Sequence, residues 1–150
     1  MNETLLALIL WINQNSAFDY DPELGLPQLE QVDQRALVIR LFKDKLPANL
    51  SERQLDALEN SVMALYAHDL RTIVVGDRVD LASLQGRVVL VHELVHFMQY
   101  ELGHDREAPC QQVLERDAYQ IQHTYMRAHG LTPEEDPFTL AIRSSCSEHY

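Results

Sequence analysis

Apolar and polar positions change period several times along the chain, and each change marks an element. The longest apolar run, Leu5 to Ile12, is far short of the ~20 residues a membrane-spanning helix needs. It predicts a first helix over Thr4–Asn13, buried on much of its surface. Asn2 and Glu3 stand where a signal peptide would be basic, and Trp11-Ile12-Asn13-Gln14-Asn15 makes a poor cleavage site. The run is therefore read as part of the fold, and a secreted form would have lost its signal ahead of residue 1. A polar stretch follows to Pro27, with turn chemistry at Asp19-Tyr20-Asp21-Pro22. A second helix is expected over Asp33–Phe42, broken by Leu46-Pro47-Ala48-Asn49. Ser51 and Gln54 have the spacing of a capping box, so a short helix should start there. Val62–Tyr66 and Thr72–Val75 read as two strands joined through Ala67–Arg71 in a hairpin. The exposed edge of such a hairpin can hold an extended peptide by main-chain pairing.

Asp80 or Ser83 is placed to cap a long helix that runs through Arg87–Met98 to about Leu102, where Gly103 stops it. Another helix is expected from about Pro109 to Ala128, ending at His129-Gly130. Thr132-Pro133 and Asp136-Pro137 each pair a cap with proline at the first helical position, so a last helix should span about Pro137–Arg143. Trp11, Tyr66 and Phe97 are assigned to the core. The sum is one helix-rich α+β domain over residues 1–150, with a small antiparallel sheet ahead of the long helix. A chain of 150 residues suits a single core.

Composition narrows the function classes. Twenty-three acidic against twelve basic residues give a net charge of −11. Such a surface repels phosphate backbones, which argues against nucleic acid as a partner. The two cysteines, Cys110 and Cys146, allow one bridge between the start of a helix and the chain end. Two reduced thiols in a cytosolic protein fit the residues equally well.

The chemistry concentrates in His92-Glu93-Leu94-Val95-His96. On a helix the two histidines differ by about 40° in azimuth and about 6 Å in height, so both imidazoles leave one face and can share an ion. Glu93 is rotated by about 100° from His92, which takes it out of the ligand set and lets it reach a water at the ion's open position. Apolar neighbours on both sides predict a buried helix, and buried histidines and a glutamate need partners. A catalytic zinc site takes a third protein ligand and leaves one position for water. Glu115, nineteen residues past His96, would return on the next antiparallel helix; Asp117 and His104 are the other candidates. The pattern with a third histidine needs Gly and His where Gln99 and Leu102 stand, and fails. Gln99 and Tyr100 are read first as packing and second as support for the histidines. Tyr119 and His123 are candidates for stabilising an oxyanion.

His92-Glu-Leu-Val-His-Phe-Met-Gln99 followed by Leu114-Glu-Arg-Asp-Ala-Tyr119 resembles the gluzincin superfamily of zinc metallopeptidases. It looks closest to the compact bacterial minigluzincin-like domains of unknown function. The likeness is strong over about Ala64–Cys146 and weak over the first fifty residues. It implies a zincin-like fold, His92, His96 and Glu115 as zinc ligands, and Glu93 as general base toward a zinc-bound water in peptide hydrolysis. It also implies that Ala118 lets the two helices pack closely. Small exported members carry a similar tail, which implies a Cys110–Cys146 disulfide and a periplasmic or secreted location, with the cytoplasm as the alternative. Larger gluzincins add a domain whose histidine stabilises the transition state, and the 150 residues read here hold none. The competing expectation is therefore a zincin-fold binding or regulatory module with a bound metal and little or no catalysis.

Overall fold

A computed structural model describes residues 1–42, 48–134 and 146. The chain divides into two compact units, one of Pro27–Gly86 and one of Met1–Leu26 with Arg87–Tyr150.

The Pro27–Gly86 unit is built on a three-stranded sheet in the order β1-β3-β2, with β1 Gln28–Val32, β2 Ala64–Ala67 and β3 Thr72–Gly76. Helices α2, Gln34–Phe42, and α3, Glu52–Ser61, lie between β1 and β2 in the chain. The expected hairpin forms: β2 runs antiparallel to β3 with Ala64 opposite Val75 and Ala67 opposite Thr72. Its turn is a single 3₁₀ turn, His68–Leu70, closed by Arg71 in the left-handed region at φ 46°. The sheet itself differs from expectation, because it is mixed. β1 pairs parallel to β3, Gln28 beside Thr72 through Val32 beside Gly76, and leaves β2 as an edge. β3 is buried along its whole length, as its unbroken β-branched run requires of a central strand.

The capping box at Ser51 forms, with Gln54 N donating to Ser51 Oγ and Ser51 N donating to Gln54 Oε1. The other end of α3 is closed from outside. The amide of Gln34 donates to the carbonyls of Glu59, at 2.7 Å, and Val62. These are among the carbonyls a helix end leaves without partners. The Glu59 carboxylate, also buried, is paired by Arg35 and Arg78.

The second unit holds α1 Asn2–Asn15, α4 from Arg87 onward (Leu84–Glu101 in full), the single turn α5 His104–Glu107, and α6 Gln111–Ala128. α1 buries one face only, Leu5, Leu8, Ile9 and Ile12. Leu6 and Leu10 are 38% and 44% exposed, so the expectation of a helix buried on much of its surface is corrected: its apolar run is wider than the face it packs. Phe97 is fully buried with Tyr20 edge-on at 5.1 Å. Trp11 is only half-buried, edge-on to Tyr125 at 5.0 Å, and Tyr66 is half-buried too; neither is the core residue expected.

α4 begins at Ser83, whose Oγ accepts from Gly86 N at 2.9 Å. It buries Val88, Leu90, Val91, Leu94, Val95, Phe97 and Met98 and ends where Gly103 turns left-handed at φ 79°. α6 starts after Cys110, which is disulfide-bonded to Cys146 across 36 residues. The expected last helix over Pro137–Arg143 lies outside the described residues. No described helix is long and apolar enough to cross a membrane.

Candidate metal centre

Two helices build the centre, and their spacing explains which side chains meet. α4 presents His92, His96 and Gln99, one helical turn apart in succession, so they share a face. α6 buries Leu114 and Ala118, and the adjacent stripe of Glu115, Tyr119 and Gln122 recurs at the same helical spacing. Ala118 is fully buried.

The structure brings His92, His96 and Glu115 together, with one donor atom from each within 4.8 Å of the others. His92 Nε2 and His96 Nε2 are 3.2 Å apart. Glu115 places Oε1 2.5 Å from His96 Nε2 and Oε2 3.5 Å from His92 Nε2. Tetrahedral zinc with bonds near 2.1 Å would set its donors about 3.4 Å apart, close to the two longer separations. The donor set also fits such an ion: two imidazole nitrogens and a carboxylate, all able to offer lone pairs to one point.

Behind the donor atoms, each imidazole is held by its other nitrogen. His92 Nδ1–H donates to Gln122 Oε1 at 2.8 Å, and His96 Nδ1–H donates to Gln99 Oε1 at 2.9 Å. Gln99 is fully buried, and its amide donates to the Leu114 carbonyl at 2.9 Å. Tyr119 packs edge-on against His92 with centroids 4.5 Å apart.

Charge is tightly coupled here. Burial works to raise the Glu115 carboxyl, but hydrogen bonds and attraction from His92 and His96 outweigh it and hold Glu115 far below the usual carboxylate range. Burial opposes charge on His96, yet Glu115 and Glu93 prevail and raise it. Glu93 is 7% exposed and takes no hydrogen bond from any described residue. Burial is the main cause of its raised pKa, the nearby Glu115 charge adds to it, and the two histidines oppose it.

The remaining candidates fall outside the group. Asp117 pairs with Arg116 at 3.5 Å, and the His104 ring lies 5.2 Å from Phe18. His123 is buried one turn past Tyr119, with ring centroids 6.1 Å apart. No motif marks Gln122. Its signal is spacing alone: it lies two turns past Glu115, on the same face.

The whole chain, residues 1–150, matches the family model described as "Domain of unknown function (DUF6647)". The chain belongs to that family. No curated protein and no solved structure matches it. Family membership brings no activity with it, so the chemistry has to be read from the side chains.

Proposed function

We propose that this protein is a gluzincin-type, zinc-dependent metallopeptidase-like hydrolase. The observation that carries the reading is the convergence of His92 Nε2, His96 Nε2 and the Glu115 carboxylate, next to a buried glutamate of raised pKa, Glu93. His92, His96 and Glu115 would hold the metal. Zinc, when bound, supplies a Lewis acid that acidifies water and polarises a peptide carbonyl.

The chain's own part follows from its residues. Glu93 sits in a low-dielectric environment that raises its pKa, which makes its carboxylate a stronger base than an exposed one. It takes a proton from the attacking water and returns it to the leaving amine. In the metal-free protein Glu115 is held ionised by the two imidazoles. Tyr119, against His92, is the first candidate for steadying the oxyanion, and His123 the second. Pairing of an extended peptide with the β2 edge belongs to the same proposal. The Cys110–Cys146 disulfide supports an oxidising location, periplasmic or outside the cell.

The test is zinc content and cleavage of a broad peptide library by wild type and Glu93→Gln. Wild type should bind about one zinc and cleave; Glu93→Gln should keep the zinc and lose at least ~100-fold in rate. If both hold zinc and neither cleaves, the hydrolase reading fails and the protein is a metal-binding module.

A further inference from the structure

We infer that Gln99 and Gln122 are positioning residues that decide which nitrogen of each histidine faces the metal centre. The inference rests on the metal reading above. A carbonyl oxygen can only accept, so the proton between His96 and Gln99 belongs to His96 Nδ1, and the one between His92 and Gln122 to His92 Nδ1. With Nδ1 carrying hydrogen, the neutral ring leaves Nε2 bare. Both Nε2 atoms are the ones that meet Glu115.

The amide orientations are themselves chosen by chemistry. Gln99 has the Leu114 carbonyl on its other side, 2.9 Å away. That oxygen also only accepts, so the NH₂ of Gln99 must face it and the Oε1 must face His96. Gln122 has the Met126 thioether on its other side, at 4.0 Å. Sulfur there is a weak acceptor and no donor, which again turns Oε1 toward the histidine. A flip of either amide would set acceptor against acceptor on one side and, for Gln99, two donors against the imidazole.

The two glutamines also lace the helices. Gln99 ties His96 on α4 to the backbone of Leu114, the residue before Glu115 on α6. Gln122 reaches back from α6 to His92 on α4. Each ligand-bearing helix therefore orients a ligand of the other or the peptide that carries it. Both partners are neutral amides and add no charge, so a divalent ion would be offset by Glu115 alone among these groups. That leaves more of its charge for a polarised oxygen than a carboxylate behind either histidine would.

The experiment is a zinc competition titration against a chromophoric chelator, together with NMR of imidazole N–H protons in the zinc-loaded protein. Wild type should show two imidazole N–H protons protected from exchange. Gln122→Met should lose the His92 proton's protection and Gln99→Met the His96 proton's, each with affinity down about 10–100-fold. Gln122→Glu keeps an acceptor for His92, loses only the weak contact to the Met126 thioether, and should restore both the protected proton and most of the affinity. Because Gln99 is fully buried, its Met variant could fail to fold; the half-buried Gln122 then carries the test alone. Zinc bound as tightly by Gln122→Met as by wild type, or a Gln122→Glu variant no better than Gln122→Met, would overturn the inference while leaving zinc binding in place. A wild type that takes up no zinc would overturn both.

Discussion

Replacing Glu115 by alanine should remove most of the zinc affinity, and the size of the loss can be worked out in advance. Glu115 would supply one of three protein donors, with an oxygen 2.5 Å from His96 Nε2 and another 3.5 Å from His92 Nε2. A four-donor protein zinc site releases about 10–16 kcal/mol at neutral pH, so one donor accounts for about 2.5–4 kcal/mol, or roughly a hundred- to a thousandfold in Kd. The pair His92 and His96 would still bind, but weakly. The same loss should appear as stability. Zinc at about a thousand times the wild-type Kd stabilises the folded chain by about 4 kcal/mol, a rise of about 8–16 °C in melting temperature for a chain of this size. At the same zinc concentration the variant should gain only about 0.4–1.4 kcal/mol. Chelator competition and calorimetry with and without zinc measure the two quantities independently. Asp117→Ala is the control, since Asp117 lies two residues on and pairs with Arg116 instead. A Glu115→Ala variant whose zinc affinity stays within about threefold of wild type, or an equal loss in Asp117→Ala, would refute the assignment.

Three further outcomes are expected. In the metal-free protein His96 is raised by Glu115 and Glu93 against the effect of burial; a group raised on folding stabilises below its unfolded pKa of about 6.5 and loses that contribution as pH climbs through its folded value. Metal-free stability should therefore fall above about pH 6.5, while zinc, which needs the bare nitrogen, binds more tightly over the same interval; parallel slopes in melts with and without chelator would contradict this. Gly76→Ala would put a Cβ 1.9 Å from Gln34 Oε1, displacing the amide that closes α3. The cost should be about 2–4 kcal/mol in urea unfolding, and Gln34→Ser in the same chain should recover part of it. Cys146→Ser opens a loop of 36 residues, worth about 4 kcal/mol at most from chain entropy; an unchanged melting temperature would argue that the tail is held by other contacts.

The helices and the histidine pair were legible because their causes are local. Capping at Ser51, the stop at Gly103 and the His92–His96 spacing each depend on residues within a few turns, and the backbone geometry of a helix turns such spacing directly into a shared face. β3 was legible for the same kind of reason, as a short β-branched run. β1 was not. Gln28-Leu-Glu-Gln-Val has two apolar residues and becomes a strand only because β3, more than forty residues on, offers it a parallel partner. Propensity carries no information about such a partner. The exposed Leu6 and Leu10 make the same point, since nothing in an all-apolar run says which of its faces is packed.

At the centre, sequence by itself determined the two histidines, the glutamate between them and a short list for the third donor. Only the tertiary structure brought Glu115, and not Asp117 or His104, beside the two histidines, because that depends on how α6 is rotated against α4. Burial of Leu114 and Ala118 sets that rotation, and it turns Glu115 inward and leaves Asp117 to Arg116. The same rotation brings Gln122 onto His92 and the Leu114 carbonyl onto Gln99. Hydrogen bonds are short-ranged and directional, so two glutamines that look like ordinary helix formers acquire a role only once a neighbouring helix is placed within 3 Å of them.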